Sequence, residues 1–177
     1  MAIRLFIFIL LTISVISIFV PVDNNTKESI PKDIALVTFN NSTMYTLDDI
    51  QVTRIITSSE AIRYKTRDEM YEATFIHRTN SLNKNENMDI FTANFIEKRE
   101  SNLKFVDQVK FYRDKFISLE TDIMYYNLDT KIAYNNHPFK GKYYNGTLDG
   151  KNLYLDIGKT YFKSEKSHFE IDLENKE

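Results

Sequence analysis

One stretch of this chain restricts its fold more than any other: residues 117–134, which read ISLETDIMYYNLDTKIAY. Five side chains alternate onto one predicted face of a strand: Ile117, Leu119, Thr121, Ile123 and Tyr125. A period of two is typical of a half-buried β-strand. Residues 127–130 are turn formers, since Asn and Asp side chains bond the local backbone. The stretch therefore predicts a β-hairpin whose second strand begins at Lys131.

Similar alternation continues through most of the chain from residue 34 onward. Apolar side chains alternate with polar ones at Phe91, Ala93 and Phe95, and again at Leu103, Phe105, Val109 and Phe111. No segment after residue 20 shows the 3.6-residue apolar period of an amphipathic helix. These patterns predict an all-β domain built from successive hairpins.

A weak internal repeat supports the hairpin prediction. Four segments share a pattern in which a small or polar residue is followed by larger residues three and five positions later. These segments begin at Ser59, Thr92, Thr121 and Gly150. By subtraction, these starts are 33, 29 and 29 residues apart. Hairpins that cannot bury a face alone must stack, which gives a continuous core or an elongated trough. The alternative is the chance self-similarity of any chain of hairpins.

The N-terminal segment predicts a membrane anchor. Residues 3–20 are apolar except for Arg4 and three hydroxyl residues, and eighteen helical residues span about 27 Å, close to the hydrocarbon thickness of a bilayer. A cleaved signal peptide is the competing interpretation, but no small-x-small cleavage site follows the apolar run. Arg4 precedes the run and no basic excess follows it, so the positive-inside rule places the N-terminus in the cytoplasm and residues 21–177 outside it.

The predicted organisation has three parts. Residues 1–20 form the transmembrane anchor, residues 21–33 form a polar linker with proline at positions 21 and 31, and residues 34–177 form the β-domain. The linker lets the domain stand away from the membrane surface.

Composition and spacing argue against several classes of function. The chain has no cysteine, which excludes disulfides, thiolate metal sites and a cysteine nucleophile. Its formal net charge is −2 with acidic and basic residues interspersed, which disfavours nucleic-acid binding. The three histidines are widely separated, and no nucleophile elbow or paired-acid motif is present. We therefore expect a protein that is not an enzyme and that uses no metal or cofactor.

Three short segments carry a resemblance to a known family. They are Leu119–Tyr126, Phe91–Asn94 with its continuation Val109–Arg113, and Gly150–Asp156. Together with the single anchor and short linker, they resemble the LptC family, the bitopic components of the bacterial lipopolysaccharide export machine. The resemblance extends over essentially the whole chain in architecture, through short and degenerate motifs.

The resemblance implies an open, twisted antiparallel β-jellyroll in the periplasm, held by a single-pass anchor in the inner membrane. Such a domain accepts lipopolysaccharide from the inner-membrane ABC transporter and passes it to the periplasmic bridge protein LptA. The open C-terminal edge would pair with LptA, since an unpaired strand exposes backbone donors and acceptors. In this chain the predicted edge-strand residues are Phe162, Phe169 and Ile171.

A hydrophobic groove for the acyl chains would be lined by the apolar members of the alternating faces. Our candidates are Phe91, Phe95, Leu103, Phe105, Val109, Phe111, Leu119 and Ile123. A sealed core is the alternative, because periodicity reports burial and not what fills the interior. The corresponding rival function is an envelope adaptor with a closed β-sandwich that binds no lipid. A third possibility, an anchored hydrolase, requires a polar catalytic cluster for which the sequence offers no candidate.

Overall fold

The computed structural model divides the chain into two compact units, residues 1–32 and 33–177. Within the residues that it describes, no helix has the length and apolarity needed to cross a membrane. The predicted anchor and linker lie outside those residues, apart from three positions near the N-terminus and residue 33, so the anchor stays a prediction. The structure describes residues 3, 6, 7, 33–49, 51–79, 87–113, 117–159 and 161–171.

The second unit is built from strands, and the predicted all-β class is confirmed. Between residues 33 and 171, the described segments contain strands and turns and no helix. The ten strands are β1 (Val37–Leu47), β2 (Val52–Arg63), β3 (Asp68–Thr79), β4 (Asn87–Arg99), β5 (Asn102–Arg113), β6 (Ile117–Asn127), β7 (Ile132–Tyr134), β8 (Pro138–Tyr143), β9 (Gly146–Asp156) and β10 (Tyr161–Ile171).

All ten strands belong to one antiparallel sheet with a meander order. Strands β1 to β6 each pair with the next, and β9 pairs with β10. Strands β7 and β8 share one position between β6 and β9, β7 against one half of each neighbour and β8 against the other. Between them, the buried Asn135 side chain accepts from the Leu153 amide at 3.0 Å and donates to the Thr121 hydroxyl at 2.9 Å. Among the described strands, the sheet edges are therefore β1 and β10.

The hairpin predicted at residues 117–134 is confirmed as β6, a turn and β7. Asn127 Oδ1 accepts hydrogen bonds from the backbone amides of Asp129 and Thr130, at 3.0 and 2.8 Å, as its turn chemistry predicts. The predicted single face of β6 is wrong beyond Thr121. The buried positions continue at Met124 and Tyr126, so Ile123 and Tyr125 face the opposite side.

A line of irregularities crosses the middle of the long strands and shifts their alternation. Five strands contain mid-strand residues with positive φ: Asn41, Glu72, Asp107 with Gln108, Asn152, and Lys166. The register of the strand pairs shifts on this line between β4 and β5, β5 and β6, and β9 and β10, and is continuous between β2 and β3 and between β3 and β4. At such irregularities the alternation of side chains passes to the other face. Buried positions accordingly step by three at Ser58 to Ala61, Met70 to Ala73, Ala93 to Ile96, Thr121 to Met124 and Gly150 to Leu153.

This step corresponds to the internal repeat seen in the sequence. The aligned segments that begin at Thr121 and Gly150 start on the residue from which the three-residue step begins, because both residues are the last buried positions before it. The segments placed at Ser59 and Thr92 are one residue out, since Ser58 and Ala93 are the buried residues there. In four strands, β2, β4, β6 and β9, the repeat therefore marks the point at which the strand crosses the line of irregularities.

The line divides the sheet into two parts that we name half-sheet A and half-sheet B. Half-sheet A comprises residues 42–47, 52–57, 73–79, 87–93, 109–113, 117–121, 138–143, 146–151 and 165–171. Half-sheet B comprises residues 37–40, 60–63, 68–71, 95–99, 102–106, 123–127, 132–134, 153–156 and 161–163.

Contacts between distant strand positions show that the two half-sheets face each other. Strands β3 and β6 would be about 14 Å apart in a flat sheet, since neighbours are about 4.8 Å apart. Nevertheless, His77 Nδ1 on β3 lies 2.9 Å from the Tyr126 hydroxyl on β6. Phe91 and Phe105, six residues out of register on neighbouring strands, have ring centroids 4.9 Å apart. The sheet therefore folds over along this line of irregularities, with the core between its halves.

The core lies under strands β3 to β9, and both edges extend past it. Phe75, Phe91, Phe105 and Tyr126 contact one another through their rings and are at most 1% exposed. Burying each large apolar side chain contributes about 1.5–3 kcal/mol to folding. Most residues of β1 and β10 are exposed instead.

Candidate functional site

An apolar cavity of about 330 Å³ lies between the half-sheets beside the edge strand β10. It has the volume of a small-molecule or single-chain site, for which 300–1,000 Å³ is usual. Both half-sheets contribute to its walls. Its lining consists of Ile117, Tyr143, Leu148, Leu155, Tyr161, Phe162 and Phe169.

The local sequence of β10 explains why the sandwich is not closed there. The strand has two register shifts against β9, and the polar run KSEKSH (163–168) separates its two apolar ends. Phe162 pairs with Leu155 in half-sheet B and Phe169 pairs with Leu148 in half-sheet A, so the two phenylalanines reach the cavity from opposite layers. They pack edge-on against Phe139 and Tyr143, with ring centroids 6.1 and 6.4 Å apart.

Exposure changes from the inner to the outer wall of the cavity. Ile117, Leu148 and Leu155 are buried, whereas Tyr161 is 53% and Phe169 is 45% exposed. The cavity therefore opens to solvent along the C-terminal edge. With hydrocarbon walls and tyrosine as its polar component, it suits an apolar chain better than a charged ligand.

Two of the three predicted edge-strand residues line this cavity. Phe162 and Phe169 face inward from β10, while Ile171 is 60% exposed at the end of the strand, opposite Gly146. Within the described residues, β10 pairs with β9 alone, so its other side is an open edge. Its role in binding a partner strand stays a prediction.

The eight predicted groove residues fall into two groups. Six lie between the half-sheets and are at most 1% exposed: Phe91, Leu103, Phe105, Val109, Phe111 and Leu119. Phe95 and Ile123 follow the bulges, and they are half-buried on the outer face of half-sheet B. There Phe95 contacts the Tyr71 ring, with centroids 5.3 Å apart. Lipid binding by any of the eight stays a prediction.

A buried polar cluster joins the half-sheets near the inner wall of the cavity, since Arg113 pairs with Ile117 across β5 and β6. Arg113 donates to Asp89 through two nitrogens, at 2.5 and 2.8 Å, and to the Ile157 carbonyl at 3.0 Å. The side chains of Arg113 and Asp89 are 5% and 0% exposed. His77 and Tyr126 lie beside them, and their hydrogen bond spans the two layers. These buried hydrogen bonds hold the strands together.

Burial fixes the protonation states within this cluster. It lowers the pKa of His77 to about 4, against a partial opposing effect of the Asp89 carboxylate, so the imidazole is neutral at pH 7. Burial also raises the pKa of Tyr126 well above its ordinary value. The protonated tyrosine hydroxyl can therefore donate to Nδ1 of the neutral histidine.

Sequence reasoning missed the polar cluster and most of the cavity wall. Asp89 continues the alternation of Phe91 and Ala93, and Arg113 continues that of Val109 and Phe111, so the pattern did contain their inward orientation. Nothing local marks Ile117, Leu148 and Leu155 as cavity residues, because they alternate as core residues do.

The described residues contain no group of three or more His, Asp or Glu side chains arranged to hold a metal ion. The chain matches no family model, and no significantly similar curated protein was found.

Proposed function

We propose that this chain is the lipid-carrying, membrane-anchored component of a lipopolysaccharide export system, of the LptC type. It would accept lipopolysaccharide from an inner-membrane ABC transporter and pass it to an LptA-like bridge protein. The observation that carries the proposal is the apolar cavity between the half-sheets, which opens beside the exposed edge strand β10.

The fold supports this proposal in two ways. A single antiparallel sheet that folds over on itself is compatible with the β-jellyroll of that family, and it leaves two strand edges available for other β-domains. The cavity also places hydrocarbon walls next to one of those edges, so a bound acyl chain would lie close to a docked partner strand. Transport direction would come from ATP hydrolysis in the partner subunits.

An envelope adaptor without lipid is the second candidate. The close packing of the six buried groove candidates favours it, because a carrier that uses the whole interior needs the half-sheets to separate. The adaptor requires the cavity beside β10 to stay unoccupied.

Crosslinking separates the two candidates. The full chain, solubilised in detergent, is incubated with lipopolysaccharide that carries a photoreactive acyl chain. We expect crosslinks at Leu148, Tyr161, Phe162 and Phe169. The variant Phe162→Glu should stay folded and lose them, because a carboxylate in the cavity repels hydrocarbon.

Tyr112→Glu is the matched control, since Tyr112 is 44% exposed on the outer face of half-sheet A. It should retain the crosslinks. If the folded wild-type chain gives no crosslinks, the carrier proposal fails and the adaptor is favoured.

The partner edge has its own test. Replacing Ile171 with proline removes a backbone donor at the end of β10 and should weaken binding of the bridge protein while lipid crosslinking at Phe162 persists. Unchanged affinity for the bridge protein would contradict edge pairing at this position.

A further inference from the structure

A row of tyrosines crosses the outer face of half-sheet B, on the side opposite the core. Residues paired across antiparallel strands point to the same face, so the strand register aligns the row. From β5 to β10 it reads Lys104, Tyr125, Tyr134, Tyr154 and Lys163. We name the three central residues the tyrosine platform; the adjacent Tyr161, at the edge of the sheet, contacts Tyr154 and also lines the apolar cavity.

The rings of the platform are ordered and accessible. Tyr125 and Tyr134 stack with centroids 5.1 Å apart and planes 17° from parallel, and Tyr154 meets Tyr161 edge-on at 6.3 Å. Tyr134 is 49% exposed and Tyr154 is 36% exposed. The platform therefore presents an aromatic surface to solvent, although the chain has an interior in which other tyrosines, such as Tyr126, are buried.

Amide and carboxylate groups surround the rings. Two open depressions, of about 710 and 210 Å³, adjoin the platform and share Asn102, Asn127 and Tyr134 as lining residues. On one side, Asn127 Nδ2 donates to Asn102 Oδ1 at 2.8 Å. On the other side, Asn152 Nδ2 donates to a Glu165 carboxylate oxygen at 2.7 Å. Both pairs hold polar groups in place beside an aromatic row.

This combination matches the chemistry of a sugar ring. A pyranose has an apolar face of C–H groups, which packs on an aromatic ring, and an equatorial rim of hydroxyls, which needs donors and acceptors around that ring. An acyl chain would remove water from these polar side chains without offering them hydrogen bonds in exchange, at a cost in free energy. A nucleic acid would require an excess of basic groups, yet Glu97 and Glu165 balance the two basic residues, Arg99 and Lys104, among those that line the two depressions.

We propose that the tyrosine platform binds an oligosaccharide of uncharged, N-acetylated amino sugars. The asparagine amides offer both a donor and an acceptor to an acetamido group, and the balance of acidic and basic residues that line the depressions favours a neutral saccharide. The platform lies on the opposite face of half-sheet B from the apolar cavity, so this proposal does not depend on lipid transport.

Calorimetric titration of the full-length protein with an N-acetylglucosamine tetrasaccharide tests the proposal, in a detergent whose head group is not a sugar. We expect saturable binding. Tyr134→Ala should weaken it at least about tenfold by removing the central ring, while Tyr134→Phe keeps most of the affinity because the stacking surface remains. Tyr112→Ala, an exposed tyrosine on half-sheet A, is the matched control and should bind as the wild type does.

Three outcomes would overturn the proposal. They are the absence of saturable binding by the wild type, an equal loss of affinity in Tyr112→Ala, and binding of a lipid-free acidic saccharide or a peptide in place of the neutral sugar. Each variant is first compared with the wild type by circular dichroism, and Tyr134→Phe still provides a folded test if Tyr134→Ala does not fold. Lipid crosslinking at Phe162 reports on the other face, so the two proposals fail independently.

Discussion

The interior under β3 to β6 and the interior beside β10 are both lined by aromatic side chains, and the apolar cavity described above lies in the second of these regions. In the first region, the rings of Phe75, Phe91 and Phe105 meet across the two half-sheets. In the second, Phe162 and Phe169 stand at the two ends of an interrupted strand, and the space between the layers is not filled. Aromatic content therefore does not decide whether a folded sheet is sealed; strand continuity and pairing partners do.

Polar groups reinforce the difference. The sealed region is joined across the layers by the hydrogen bond from Tyr126 to His77 and by that from Arg113 to the Ile157 carbonyl. Most polar side chains of β10 are exposed, and they include the imidazole–carboxylate pair of His168 and Glu170. Buried polar contacts thus fix the distance between the half-sheets under β3 to β6. Beside β10, we expect that distance to change more easily, because the polar contacts of the edge strand lie at the surface.

The largest expected effect contrasts a carboxylate placed in each region. Phe105→Glu should unfold the domain, because the side chain is fully buried and an unpaired charge there costs more than the domain's marginal stability. Phe162→Glu should leave it folded, since the new carboxylate can reach solvent through the open cavity. Circular dichroism and urea unfolding of both variants check this. Equal destabilisation would show that the cavity is closed in solution.

The next effect concerns the buried ion pair. Asp89→Asn leaves the Arg113 guanidinium buried without its carboxylate and should lower the free energy of unfolding by about 3–5 kcal/mol. Asp68→Asn is the matched control. It removes a carboxylate from an arginine pair of the same two-bond geometry, in which the Arg63 side chain is 59% exposed, and it should cost at most about 1 kcal/mol.

Chemical denaturation measures both variants. Similar costs would mean that the interior around Asp89 is as well solvated as the surface, and the proposed contrast between the two regions would be lost.

Acid should act mainly on the sealed region. The pKa of His77 is about 4 in the folded chain and 6.5 in the unfolded chain, so between these values the unfolded chain binds more protons. Stability that is complete above pH 6.5 should therefore be lost as the pH falls toward 4, by at most about 3 kcal/mol. The exposed His168 has the opposite effect on the pH dependence of stability. Its hydrogen bond to Glu170 raises its pKa, so the protonated imidazole favours the folded chain at low pH.

Urea unfolding at several pH values, with His77→Gln as the control, isolates this effect. Glutamine keeps an acceptor for the Tyr126 hydroxyl and does not titrate. The variant should lose most of the pH dependence between pH 5 and 6.5, and an unchanged dependence would assign it to other groups.

Sequence alone predicted the strand class and the hairpin at β6 and β7, because alternation and turn chemistry are local. It did not predict where alternation shifts. Positive φ at Glu72, Asp107 and Asn152 is uncommon for residues other than glycine, so the usual glycine signal of a bulge was missing. Phe95 on β4 and Ile123 on β6 were assigned to the inner face because their own strands contain no residue with positive φ, and the register shifts beside them come from the pairing with β5.

The cavity could not be predicted for a different reason. Leu148 and Leu155 alternate as any core residues do, and only the folding over of the sheet determines which residue opposes them. The resemblance to a lipid carrier predicted an apolar interior with an open edge, but not that the cavity would lie beside that edge.

The smallest expected effect compares two glycines that are both crowded. A Cβ at Gly141 would press against the Ser118 carbonyl oxygen and lie 2.7 Å from Leu119 Cδ2, while one at Gly146 would lie 2.6 Å from the Phe169 ring and 2.8 Å from the Glu170 carbonyl oxygen. Strand β6 is paired on both sides and cannot move, whereas β10 is an edge that can shift outward. Gly141→Ala should therefore cost about 2–3 kcal/mol and Gly146→Ala about 1 kcal/mol.

Gly158→Ala is the control, since its nearest neighbour would be 3.4 Å away, at ordinary contact distance. Urea unfolding gives the three values, and hydrogen exchange shows where each variant loosens. In Gly146→Ala, faster exchange should be confined to β9 and β10, because the displaced strand pairs with β9 alone among the described strands. If Gly146→Ala instead cost as much as Gly141→Ala, the edge strand would be as firmly held as the centre of the sheet, and β10 could not yield to admit a lipid chain.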